Sequence, residues 1–144
     1  MEVARICKRD VDTVGPEESA LVAAQRMRDR GVGTLIVVNS LEQPMGLLTD
    51  RDLAMRVVAQ ERDPAQTPVT EVMTAIPTRV LETSSTESAL GNMLTHRCRR
   101  MPVVNGLGEL RGIVSLDDIL RHFAEEFSTA GELLERESPH HCVA

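Results

Sequence analysis

The chain has 144 residues, 42% hydrophobic and 26% charged, with a formal net charge of -6, which fits one compact domain or two very small ones. No apolar run approaches the ~18 to 20 residues that cross a bilayer, and MEVARICKRDVD lacks the apolar core of a signal peptide, so a cytoplasmic protein without membrane contact is expected. The acidic balance and the presence of two Phe with no Trp or Tyr argue against nucleic-acid binding, which uses cations for phosphates and aromatic platforms for bases.

In chain order, a short extended segment around DTV (12–14) comes first. PEESALVAAQRMRDRG follows, with Pro16 near its start, Ala20, Ala23, Ala24 and Met27 at helical spacing, and Gly31 where a helix would stop. TLIVV (34–38) is β-branched and short, as buried strands are, and the loop NSLEQP leads to a second apolar run, MGLLT. Two strands so close together predict an antiparallel hairpin. After Thr49 the pattern turns helical, with Leu53, Ala54, Val57 and Val58 on one face. QERDPAQTPVTEVMT is polar and carries Pro64 and Pro68, so it is expected to link two units. The order then repeats: an extended TRV, and TSSTESALGNMLTHR with Ser84 and Glu87 as a capping box. Strand MPVV, loop NGLGE, strand LRGIVS and a helix carrying Ile119, Leu120, Phe123 and Phe127 complete it.

An offset of 66 residues aligns the two halves without a gap over 7–58 and matches Val14/Val80, Ser19/Ser85, Asn39/Asn105, Gly46/Gly112 and Asp52/Asp118, among others. The expected architecture is therefore α/β (α+β): two repeats, each with a small, mostly antiparallel sheet and helices. Because each is too small to be stable alone, the two are expected to pack as a pseudo-twofold pair around one core.

GLLTDRDL (46–53) and GIVSLDDI (112–119) occupy equivalent places in the two units. Thr49 to Asp52 and Ser115 to Asp118 have capping-box spacing, and either pair alone is enough to start a helix. The same groups suit a ligand: a carboxylate accepts two hydrogen bonds from a cis-diol, and a hydroxyl at a helix start lies beside free N–H groups that attract phosphate.

No catalytic constellation emerges, so an enzyme is not expected. GLGELRG misses the dinucleotide spacing and lies in a hairpin, and P-loop, HExxH and GxSxG patterns are absent. Cys7, Cys98 and Cys142 form no CxxC pair, and the adjacent His140, His141 and Cys142 are a poor basis for a metal site, so none is expected.

GLLTDRD, GIVSLDD, RRMPVVN on the central strand and VTEVMTAIPTRV at its approach together resemble the CBS (cystathionine-β-synthase) domain in tandem, an arrangement called a Bateman module. The resemblance places one copy at 3–58, a linker at 59–71, a second copy at 72–127 and a C-terminal tail at 128–144. It implies a regulatory module that senses adenosyl ligands (AMP, ADP, ATP, S-adenosylmethionine or NAD) in clefts between the repeats, with no catalytic cofactor. It also implies ribose and phosphate contacts from Thr49 and Asp52 in one cleft and from Ser115 and Asp118 in the other. Adenine contacts would come from Thr13, Val14 and Ile36, and from Arg79, Val80 and Pro102. Arg99 and Arg100 would meet phosphates, making the second copy the better equipped for a charged nucleotide. A homodimer formed through the helices is implied, with a possible partner protein that the chain does not name. The alternative is an adaptor that only dimerises and whose clefts are vestigial.

Overall fold

The computed structural model describes residues 1–137, and the elements run twice through one order. The first sheet contains β1 (Thr13–Val14), β2 (Thr34–Val38), β3 (Pro44–Thr49) and β4 (Thr74–Ala75) in that spatial order. The second contains β5 (Val80–Leu81), β6 (Arg100–Val104) and β7 (Leu110–Ser115). In each sheet the short first strand lies parallel to the central one, and the central strand forms an antiparallel hairpin with the next. Both hairpins shift register at the same place, between Val37 and Val38 and between Val103 and Val104. Asn39 and Asn105 explain the matched turns: each side-chain oxygen accepts from two backbone N–H groups of its loop, Leu41 and Gln43 or Leu107 and Glu109.

Helix α1 (Ala20–Arg30) starts on Ser19, whose hydroxyl accepts from Val22 N, and stops at Gly31 with φ 66°. Its counterpart α3 (Thr86–His96) is capped by Ser85, not by Ser84 as its spacing to Glu87 suggested, because Ser85 occupies the extended position and its hydroxyl accepts from Ser88 N. Arg97 stands where the first repeat has Gly31 and takes the same left-handed conformation, φ 52°. The helix after Thr49, α2 (Asp50–Leu53), passes into a wider turn of π type over Ala54–Val58. That turn rotates the face expected from 3.6-residue spacing, so Val57 is buried while Ala54 and Val58 are exposed. Helix α4 (Leu116–Glu137) continues well past Phe127 into the stretch expected to be a tail, through a run rich in Glu and Leu. No helix among the described residues is long and apolar enough to cross a membrane.

Instead of one shared core there are two, each completed by chain from the other half. The first gathers Val14, Ala23, Leu35, Val37 and Leu48 with Val69 and Val72, which lie beyond the first repeat and partly within the expected linker. The second gathers Val80, Ala89, Met101, Val103, Val114 and Ile119 with Val3 from the N-terminus. Val3 and Val69 are themselves 66 residues apart. Residues 1–8 are tied down by backbone bonds from Val3 N to Ser84 O (2.8 Å), Ala4 N to Glu82 O (3.0 Å) and both ways between Lys8 and Ile113 (2.8 and 2.9 Å). Lys8 beside Ile113 repeats the pairing of Thr74 with Leu47 on the first sheet. Exchanged segments of this kind join residues as distant in sequence as Lys8 and Ile113, which helical or strand periodicity does not report.

Candidate functional site

Two clefts lie between the repeats, related by the same offset. The first, of about 370 Å³, is lined by Lys8, Asp10, Asp12, Ile36, Ser115 and Asp118, with Thr34 and Arg100 at its wall. The second, of about 680 Å³, is lined by Leu47, Thr74, Pro77, Cys98 and the basic group His96, Arg97, Arg99 and Arg100, with Ser115 and Asp117 at one side. Thr34 pairs with Thr49, and Arg100 with Ser115, across the hairpins, so each central strand delivers its first residue beside the start of the following helix.

At both helix starts the capping box forms. Asp52 Oδ2 accepts from Thr49 N at 3.0 Å, and Thr49 Oγ1 accepts from Asp52 N at 3.1 Å. Asp118 and Ser115 reproduce those two bonds at 3.0 and 3.1 Å, and the Ser115 hydroxyl also donates to Asp118 Oδ2 at 2.8 Å. Each cap consumes one carboxylate oxygen, so the second oxygen decides what a ligand meets. In Asp52 it accepts from the Thr74 hydroxyl at 3.3 Å and lies 4.0 Å from Arg56, and the side chain is 13% exposed. In Asp118 its neighbour is Arg121 at 3.5 Å, itself 70% exposed, and the carboxylate lines the first cleft.

The structure therefore gathers Ile36, Arg100, Ser115 and Asp118 into one cleft, and that cleft crosses the repeats: Ile36 is from the first copy, the others from the second. Thr49 and Asp52 face neither cleft's lining. Thr13 pairs with Ile36, and its carbonyl accepts from Arg26 at 3.0 Å. Arg26 in turn grips Glu18 with two nitrogens, and this hydrogen bonding holds the Glu18 carboxyl below the usual carboxylate range. Val14 and Val80 are buried in the two cores, and Pro102 is buried opposite Ile113. Arg79 lines a separate depression of about 380 Å³ beside the Gly106–Gly108 turn. Lys8, Asp10 and Asp12, which the sequence reading did not single out, line the first cleft, and the repeat offset already pairs them with Thr74, Ile76 and Thr78 of the second approach.

The first cleft is near charge balance, because Arg30 holds Asp12 at 2.7 Å and Asp10 at 3.7 Å from outside. Cys7 lies under Gly112, and burial pushes its thiol up, away from nucleophilic use. Among the described residues no group of three or more His, Cys, Asp or Glu side chains is placed to hold a metal ion. His140, His141 and Cys142 lie outside the described residues.

The family model described as CBS domain matches residues 3–59 and 69–125. MK0525 from Methanopyrus kandleri is 35% identical over 121 residues, 84% of this chain, which spans 62% of that longer protein. Hypoxic response protein 1 from Mycobacterium tuberculosis is 34% identical over 126 residues, 87% of each chain. A solved structure of hypoxic response protein I, with two coordinated zinc ions, superposes with a TM-score of 0.72 at 32% identity over 85% of this chain and 98% of that one. The CBS domain protein PAE2072 from Pyrobaculum aerophilum, solved in complex with AMP, gives a TM-score of 0.70 at 26% identity over 87% and 99%. Repeat, interlocked fold and paired clefts thus meet a family match over both halves: this chain belongs to the CBS domain family, as a tandem pair.

Proposed function

We propose that the protein is a non-catalytic ligand sensor, and that its first cleft takes an adenosyl compound. One observation carries the reading: a single cleft of about 370 Å³ combines the Asp118 carboxylate, the Ser115 hydroxyl, the half-buried apolar Val11, Val32 and Ile113 over a fully buried Ile36, and the cations Lys8 and Arg100. These are a diol acceptor, a phosphate contact, an apolar surface for a base and counter-charges, within the size range of small-molecule sites. The AMP bound by PAE2072 supports the same class of ligand. Sensing follows if the ligand prefers one relative angle of the two repeats, since a ligand shifts an equilibrium only by its differential affinity. A thermal-shift panel of AMP, ADP, ATP, S-adenosylmethionine and NAD tests this. A bound ligand at 100 times its Kd adds ~2.7 kcal/mol of stability, whereas a flat panel would leave the adaptor reading standing.

The sensor acts as a homodimer paired through α4. Leu120, Phe127 and Leu134 are 52%, 78% and 63% exposed and recur at seven-residue spacing along the helix, while Phe123 between them packs against the second core. Such a stripe is costly to leave in water and has the seam pattern of paired helices. Light scattering should give twice the chain mass for the native protein and the monomer mass for Phe127→Glu. A monomeric native protein removes the proposal.

A further inference from the structure

We infer that the projecting half of α4 pairs antiparallel with α4 of a second copy, in a close seat where each large side chain lies over a small residue of the partner. This rests on the homodimer reading above and goes beyond it by fixing direction, register and separation. Every residue from Ala124 to Glu137 is exposed, so more than half of the helix leaves the body of its own chain. Residues 126–137 also lie past the end of the family match, so the repeat does not supply this surface. The exposed face reads Leu120, Ala124, Phe127, Gly131 and Leu134, in alternating steps of four and three that bring residues back to one side of a paired helix. Its leucines and phenylalanine stand in water, and where a Cβ would sit on Gly131 there is nothing within 4 Å. A glycine inside an exposed helix weakens that helix, and what it permits in return is the close approach of another chain.

Direction follows from which residues then face one another. In a parallel pair each residue of the face meets its own copy, so Phe127 would press on the partner's Phe127 while Gly131 against the partner's Gly131 left a void. In an antiparallel pair whose twofold axis passes beside Thr129, Phe127 lies over the partner's Gly131 and Leu134 over the partner's Ala124. Large residues set against small ones interdigitate, which lets the two helices close on each other. Charge agrees with this register. Arg121, 70% exposed on the flank of the face, comes beside the partner's Glu135, and symmetry makes that pair twice. The flanks of the parallel pair bring no opposite charges together.

The test is the dimer dissociation constant, from sedimentation over a dilution series, for the native protein, Gly131→Leu, and Gly131→Leu combined with Phe127→Ala. Leucine at 131 meets nothing in its own chain and favours the helix more than glycine does, so the variants keep the fold, as circular dichroism should show. Gly131→Leu should weaken the dimer at least tenfold, because the new side chain meets the partner's Phe127. Adding Phe127→Ala should recover most of that loss by exchanging the large and small members of the facing pair. A Gly131→Leu dimer as tight as the native one, or tighter, overturns the inference and leaves the homodimer standing, since a parallel pair would have its void filled. No recovery in the double variant overturns the register. A monomeric native protein overturns this inference and the homodimer together, and leaves the face to a helix of another protein.

Discussion

Gly112→Ala is expected to cost on the order of 2 to 4 kcal/mol and to release the N-terminal segment from the second sheet. A Cβ at Gly112 would lie 2.6 Å from the Lys8 carbonyl oxygen and 3.2 Å from Cys7 Sγ, closer than packed atoms come, and the first of these is backbone with little room to yield. Relief requires Lys8 to move away, which breaks its two bonds with Ile113 and draws on the strand that carries Val3 into the second core. Gly46 faces the equivalent crossing, with Met73 Sδ at 2.6 Å and the Thr74 carbonyl at 2.9 Å. The methionine can swing aside there, and the backbone oxygen must yield less at 2.9 Å than at 2.6 Å, so Gly46→Ala should be destabilising but cost less. Gly91, in the middle of α3 with open space around it, is the control: alanine there should stabilise by up to ~1 kcal/mol. Urea titrations give the three values, and hydrogen exchange at Val3 and Lys8 shows whether residues 1–8 detach. Equal effects at positions 91 and 112 would show that the crossing is not tight.

Asp118→Asn should weaken an adenosyl ligand ~10- to 100-fold, while Asp52→Asn changes it less than twofold. Hydrogen bonds to a charged acceptor contribute about 1.5 to 3 kcal/mol, and neutralising Asp118 removes that strength while keeping the side chain's shape. Asp52 shares the motif and its cap, but its remaining oxygen is already turned to Thr74 and Arg56. Isothermal titration with AMP on both variants measures the difference. Equal losses at the two aspartates would sink the assignment to the first cleft.

Much of this was legible in the sequence because the repeat and the local chemistry are short-range. The hairpins follow from β-branched runs separated by Asn-anchored loops, and both Thr49 to Asp52 and Ser115 to Asp118 do form capping boxes. Alternation on β2 explains why Leu35 and Val37 enter the first core while Ile36, equally buried, lies on the opposite face beneath the first cleft. Less legible was everything that depends on distant partners. Val3 and Val69, the two exchanged core residues, lie outside the stretch over which the halves align, and a lone pair of valines carries no sign that each completes the other half's core. The spacing of Ser84 to Glu87 pointed to a cap that Ser85 makes instead, and the wide turn over Ala54–Val58 has no marker such as Gly or Pro. Arg79, which the resemblance gives as an adenine contact just before β5, lines a depression beside the Gly106–Gly108 turn.

Arg100 lines both clefts, at the first residue of β6. One guanidinium on a party wall cannot give its full set of donors to anions on both sides at once. Two ligands that each draw on it are therefore antagonists without ever touching, and thermodynamic reciprocity makes the penalty the same whichever arrives first. With both clefts occupied, a tandem repeat built this way would report the ratio of one solute to the other in place of the amount of either.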